Sequence, residues 1–136
     1  MRHWRPILAL ALAAALALAG LGCMAQPHAS AAAPTGRKDF RAVWVATVYR
    51  LDYPSQATAD PEVLKADADR ILADCAAMGM TAVILQVRPT SDAFYPSEYY
   101  PWSRYLTGAS GLAPEGGFDP LAYWVERAHA LGLELH

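Results

Sequence analysis

Cysteine is nearly absent from this chain, with two in 136 residues. Cys23 and Cys75 cannot supply a disulfide framework, so stability must come from an apolar core. Charge is also sparse, at 18% of residues with a net value of -2. That balance gives no basic surplus of the kind a nucleic-acid partner requires. The four histidines show neither HxH nor HExxH spacing, and no zinc motif, P-loop, dinucleotide fingerprint or nucleophile elbow occurs. No cofactor and no metal are therefore expected. Long apolar runs are limited to Ile7–Leu21, an Ala/Leu/Gly stretch. It is shorter than the roughly 20 residues a membrane-spanning helix needs.

What is present begins with that run. Arg2 and Arg5 precede it and small residues follow, the pattern of an export signal over residues 1–22, with an N-terminal anchor helix as the alternative. Gly20-Leu21-Gly22-Cys23 resembles a bacterial lipoprotein signal, in which Cys23 becomes the acylated N-terminus. Ordinary cleavage after Ala25 is the other possibility. Either route places the protein outside the cytoplasm, in the periplasm or cell envelope, and the first anchors it to a membrane by lipid. Residues 23–39 are rich in Ala, Pro, Ser and Gly without apolar periodicity, and read as a flexible linker.

From Phe40 onward the pattern changes. Arg41–Thr47 reads as a strand, with Val43, Trp44 and Val45 in a compact apolar run. Residues 48–59 have no helical period and read as a loop. Asp60-Pro61 then opens a helix, Asp as N-cap and Pro at the first helical position. Leu64, Ala68, Ile71, Cys75 and Met78 form its expected buried stripe, with Cys75 a small core residue, and Gly79 ends it. The stretch Thr81–Tyr95 starts as a second strand. Val83, Leu85 and Val87 share one face, and Ile84, Gln86 and Arg88 share the other. Pro89 stops the ladder because it has no N–H to give.

Residues 89–118 are expected to be irregular, given Gly108, Gly111, Pro114, Gly116 and Gly117. Asp119-Pro120 repeats the helix start. Leu121, Trp124, Val125, Ala128 and Leu131 predict the apolar stripe, Gly132 the stop, and Leu133–His136 a third strand. The order is β-α-β-α-β. Helix-to-strand links are very short and strand-to-helix links long, which places function on the long-loop face of an α/β sheet or barrel. A complete eightfold barrel needs about 250 residues. Residues 40–136 are therefore read as the N-terminal part of a larger protein built on a (β/α) barrel or a doubly wound sheet, inactive on its own.

Chemistry gathers where the second strand ends. Arg88 suits planar contact with carboxylates or sugar hydroxyls, or an ion pair with Glu134 or Asp92. Asp92, just past the strand, is a general acid or base, a holder of sugar hydroxyls, or an ordinary turn or cap aspartate. His136 shares the polar face of the third strand with Glu134, and a metal-dependent hydrolase using His136 is one alternative function. His129 reads as solvated. Six of the twelve residues from Phe94 to Tyr105 are aromatic, a density suited to the apolar faces of sugar rings. Phe94 and Tyr99 are expected to pack inward instead.

Three pieces, FRAVWVATV, GMTAVILQVRPTSDAFYPSEYYPWSRYLTG and GFDPLAYWVERAHALGLELH, resemble the bacterial glycosyl hydrolase-like family 10 proteins across about Phe40–His136. The resemblance implies a (β/α)8 TIM barrel, of which residues 40–136 are the N-terminal β-α-β-α-β portion, on an exported lipoprotein acting as a glycosidase on a glycan such as the peptidoglycan strand. It implies cleft-face roles for Arg88, Asp92, Tyr95, Trp102 and His136, with Gln86 beside them. Asp92 is the local candidate for a catalytic carboxylate, and the main catalytic pair is expected beyond residue 136. A non-catalytic glycan-binding lipoprotein on the same fold is the rival reading.

Overall fold

The computed structural model describes residues 39–136. The export signal, Cys23 and nearly all of the linker lie outside the described residues. Strand β1 covers Ala42–Val45, helix α1 Pro61–Ala77, strand β2 Ala82–Leu85, helix α2 Arg104–Thr107, helix α3 Pro120–Ala130 and strand β3 Glu134–Leu135. Single 3-10 turns lie at Val48–Arg50 and Glu115–Gly117. The three strands form one parallel sheet in the order β1-β2-β3. This is the expected β-α-β-α-β order, with one addition. Ser103 caps α2 by accepting from the Tyr105 N–H, and Gly108 closes it at φ 96, so the segment read as wholly irregular contains a helical turn.

Both long helices start as their sequences dictate. Asp60 accepts from Glu62 N–H ahead of α1, and Asp119 accepts from Ala122 N–H ahead of α3, each satisfying an otherwise orphaned donor. Gly79 and Gly132 both follow at φ 73, a left-handed conformation that glycine adopts without steric cost. The buried lines differ from the predicted stripes. In α1 they run Leu64, Ala68, Leu72, Cys75, while Ile71 is half-buried and Met78 is 60% exposed. In α3 they run Pro120, Trp124, Ala128, leaving Val125 and Leu131 exposed. The cause in α1 lies at the outer edge of β1, which has no paired neighbour among the described residues. Ile71 and Met78 overhang that edge and line a groove of about 370 Å³ with Val43, Trp44 and Leu51.

The sheet face toward the helices is aliphatic, as alternation demands. Val45, Val83, Leu85 and Leu133 are buried there. Pairing sets Val43 against Val83 and Val45 against Leu85, so these side chains stack in rows under α1. Tyr53, from the first loop, packs edge-on against Trp124 at 5.1 Å and near Phe94 at 6.3 Å, tying both long loops to the core. Burial pushes the Tyr53 phenol well above its ordinary pKa. The Trp124 indole lies near enough to offset this slightly, yet neither Tyr53 Oη nor Trp124 Nε1 meets hydrogen-bond geometry with any partner among the described residues.

On the outer surface, Asp69 of α1 accepts from Tyr123 Oη at 2.9 Å and Arg127 Nε at 2.7 Å, both on α3. Burial alone would raise the Asp69 pKa, but the Arg127 guanidinium and the Tyr123 hydroxyl outweigh it and hold the carboxyl low. A carboxyl depressed in the folded state stabilises above its unfolded pKa of about 3.9, and that contribution is lost as pH falls through the folded value. Melting temperature of the full chain should therefore drop on acidification below about pH 4. Asp69→Asn should flatten that part of the profile; an unchanged acid limb would show that the network adds nothing.

Candidate functional site

Gln86 carries the β2 ladder one residue past the strand, donating its backbone N–H to the Val45 carbonyl. Its side chain then turns to the exit of β1. Gln86 Oε1 accepts from both Thr47 N–H and Val48 N–H at 3.0 Å, and Thr47 Oγ1 donates to the Gln86 carbonyl at 2.7 Å. Thr47 is fully buried in this lock. Both lone pairs of the Gln86 carboxamide oxygen are thus engaged by backbone, and its NH2 group is what remains for a ligand.

The clamp delivers the next residues of the first loop in an unusual conformation. Tyr49 stands at φ 53 and Arg50 at φ 55, both left-handed. Bulky residues are rare there, and each costs on the order of 1–3 kcal/mol. Tyr49 is exposed and its ring meets Tyr105 at 5.3 Å, so the turn at Val48–Arg50 seats on α2. Further backbone bonds stitch the two loops together, Thr58 N–H to Leu106 O and Glu115 N–H to Ala59 O.

Arg88 is exposed, and its guanidinium carbon lies over the Tyr100 ring, 3.5 Å from the ring centre. It forms no ion pair with Asp92 or Glu134. Asp92 is 5% exposed, and its two oxygens accept from Thr90 N–H at 3.0 Å and Thr90 Oγ1 at 3.1 Å, across a turn with Ser91 at φ 59. Tyr95 and Trp102 are half-buried. Trp102 is fixed through its neighbours, because Ala93 N–H donates to Pro101 O and Ser103 N–H donates to Ala93 O. The aromatic segment divides differently from the expectation. Phe94 and Tyr105 are buried, whereas Tyr99 is 86% exposed. Tyr99 lies in a turn capped by Ser97, whose Oγ accepts from the Tyr99 and Tyr100 N–H groups at 3.2 Å.

His136 is placed apart from Arg88 and Asp92. Its Nε2 lies 3.1 Å from Glu134 Oε2 and its ring meets Phe40 edge-on at 5.7 Å. Pairing of Val83 with Leu135 sets His136 level with Ile84, four residues before Arg88 and roughly 13 Å along an extended chain. No hydrogen bond or ion pair among the described residues joins the three. Arg88, Asp92, Tyr95 and Trp102 thus belong to one loop system at the C-terminal end of the sheet, and His136 to the face below it.

Tyr49, Arg50, Arg104 and Tyr105 are part of that loop surface and were not singled out by sequence reasoning. A signal existed. Thr47-Val48-Tyr49-Arg50 follows β1 as Gln86-Val87-Arg88 follows β2, each placing an arginine just past a strand end.

A family model described as Glycosyl hydrolase-like 10 matches residues 39–136. The glycosyl hydrolase YngK of Bacillus subtilis (strain 168) is 48% identical over 99 residues, covering 73% of this chain and 19% of its own length. The glycosyl hydrolase DigH of Escherichia coli (strain K12) is 33% identical over 144 aligned positions, covering 93% of this chain and 32% of its own length. The chain therefore spans less than a third of either relative.

Proposed function

This chain belongs to the glycosyl hydrolase-like 10 family, and from that membership we propose that its full-length form hydrolyses glycosidic bonds in a cell-wall, peptidoglycan-type or related polysaccharide. The residues described here supply one wall of the substrate cleft, on the first strands of a (β/α)8 barrel. The observation that carries this reading is the Arg88 guanidinium stacked 3.5 Å over Tyr100 inside an aromatic segment at the C-terminal edge of a parallel sheet. Sugars present apolar ring faces and rims of hydroxyls, and stacked rings beside an oriented fork of N–H donors match both. The C-terminal edge is also where parallel barrels bind substrate.

Hydrolysis takes two carboxylates flanking the bond. Asp92 is the candidate for one, and its partner comes from outside residues 39–136. The close hold of Thr90 on Asp92 also favours a second reading, a glycan-binding protein without turnover, in which Asp92 only shapes the loop. Export, with Cys23 acylated at the mature N-terminus, belongs to the same proposal, and the mass of that N-terminus checks it.

The experiment is release of new reducing ends from purified glycan strands by the full-length protein. Asp92→Asn should lower turnover at least about tenfold, the scale of a lost general acid or base, with little change in melting temperature. Trp102→Ala should raise KM more than it lowers kcat, because a stacking platform holds ground and transition states alike. Binding without any release by the unaltered protein would replace the hydrolase with the glycan-binding reading.

A further inference from the structure

Seven basic residues lie among those described, and their pairing divides by place. Arg41, Lys65, Arg70 and Arg127 each meet a carboxylate within 4.0 Å. Arg50, Arg88 and Arg104 meet none. All three exposed and unpaired arginines follow the C-terminal ends of β1 and β2, on the loop face.

Two of them meet rings in place of acids. Arg88 lies over Tyr100 at 3.5 Å from the ring centre, and Arg104 sits 5.6 Å from the centre of Tyr105. The Tyr105 ring also meets Tyr49, whose neighbour Arg50 is turned by its left-handed backbone, and the turn carrying both packs on α2. An arginine face covered by an aromatic ring keeps its edge N–H groups free, and they remain in a planar fork that fits a carboxylate bidentately. The acids nearby do not neutralise the group. Asp52 gives an oxygen to Ala46 N–H, Asp92 gives both to Thr90, and exposed Glu98 makes no ion pair with any of the three.

A neutral glycan needs hydroxyl partners and stacking, which tyrosine and asparagine supply without concentrating like charge on one face. We infer that Arg50, Arg88 and Arg104 read carboxylates borne by the sugars of the glycan, making this loop face selective for an acidic polysaccharide over a neutral one. The inference rests on the glycan reading above and adds the charge class of the substrate. The carboxylate is either part of the sugar ring system, as in a uronate, or carried on an ether substituent, as in the lactyl group of muramic acid.

The test uses the full-length protein and three probes: peptide-free peptidoglycan strands, the same strands with carboxyls reduced to alcohols, and oligogalacturonate. Reduction of the carboxyls should weaken binding at least about tenfold, the scale of one charge-assisted hydrogen bond. Added salt should weaken binding of the native strands and spare the reduced ones. Arg50→Gln and Arg104→Gln should each weaken the native strands severalfold and leave the reduced strands unchanged, and Arg88→Gln should weaken the native strands severalfold more than the reduced ones. Arg88→Lys, which keeps charge and loses the planar fork, should fall between. Oligogalacturonate bound as well as the native strands identifies a carboxylate in any position; binding of the strands alone identifies the lactyl group. Equal affinity for native and reduced strands, with turnover intact, overturns the inference and leaves the glycosidase reading standing. Failure to bind any of the three overturns both.

Discussion

Trp124→Ala should cost the full chain about 3 kcal/mol, toward the lower end of the usual range for deleting a buried tryptophan. Trp124 is fully buried, contributes the largest side chain of the core, and meets Tyr53 edge-on at 5.1 Å. Its removal leaves a cavity under both long loops, since Tyr53 belongs to the first and Phe94 to the second. Two effects set the magnitude. Lost burial and the cavity push the loss up. The indole N–H, which has no partner among the described residues, is removed as well, and deleting an unsatisfied donor gives back part of it. Trp124→Phe separates them, because it keeps a ring against Tyr53 while discarding the N–H, and it should cost under about half as much. Chemical denaturation measures both variants. An alanine variant within about 1 kcal/mol of the parent would mean that the loops are anchored elsewhere.

Gln86→Leu should destabilise by about 2–4 kcal/mol and weaken glycan binding together. The substitution leaves Thr47 N–H and Val48 N–H without their shared acceptor, the first of them fully buried. Each stranded donor costs about 1–3 kcal/mol. The freed turn is the one that carries Tyr49 and Arg50, so the loop face loosens as stability falls. Gln86→Glu keeps an acceptor oxygen and should recover most of the stability. Equal stability of the leucine variant, seen in denaturant midpoints, would show that the two donors find another partner and that Gln86 is free for ligand.

Much of the scaffold was legible because it is written in local chemistry. The Asp-Pro starts and Gly stops of α1 and α3 depend on a few adjacent residues, and the alternation of β2 fixes which face meets the helices. What was misjudged depends on tertiary neighbours. Met78 and Leu131 fit a helical stripe by spacing, but each lies past the last covering element. Tyr99 and Tyr105 look alike in sequence; one sits exposed in a turn capped by Ser97 and the other is buried in α2. For the site, Arg88 was identified from its place after β2, while its stack on Tyr100 depends on a residue twelve positions away. Gln86 was seen as facing the cleft, but no pattern in the sequence says that its oxygen is claimed by Thr47 and Val48. Arg50 also follows a strand end, but no glycine or asparagine marks the left-handed turn that presents it.

For an engineer, Tyr49 and Arg50 define where thermal robustness and recognition compete. Glycine at either position would relax the backbone, since it occupies positive φ freely. It would also delete the ring that seats on Tyr105 or one of the three unpaired guanidiniums. β-branched residues are barred from both sites by sterics whatever their contacts. Variation tolerated here is therefore narrow: asparagine and aspartate fit the backbone, but neither restores a stacking ring or a cation. A library built for heat resistance would enrich changes at these two residues and discard binding as it did so, a trade between stability and activity.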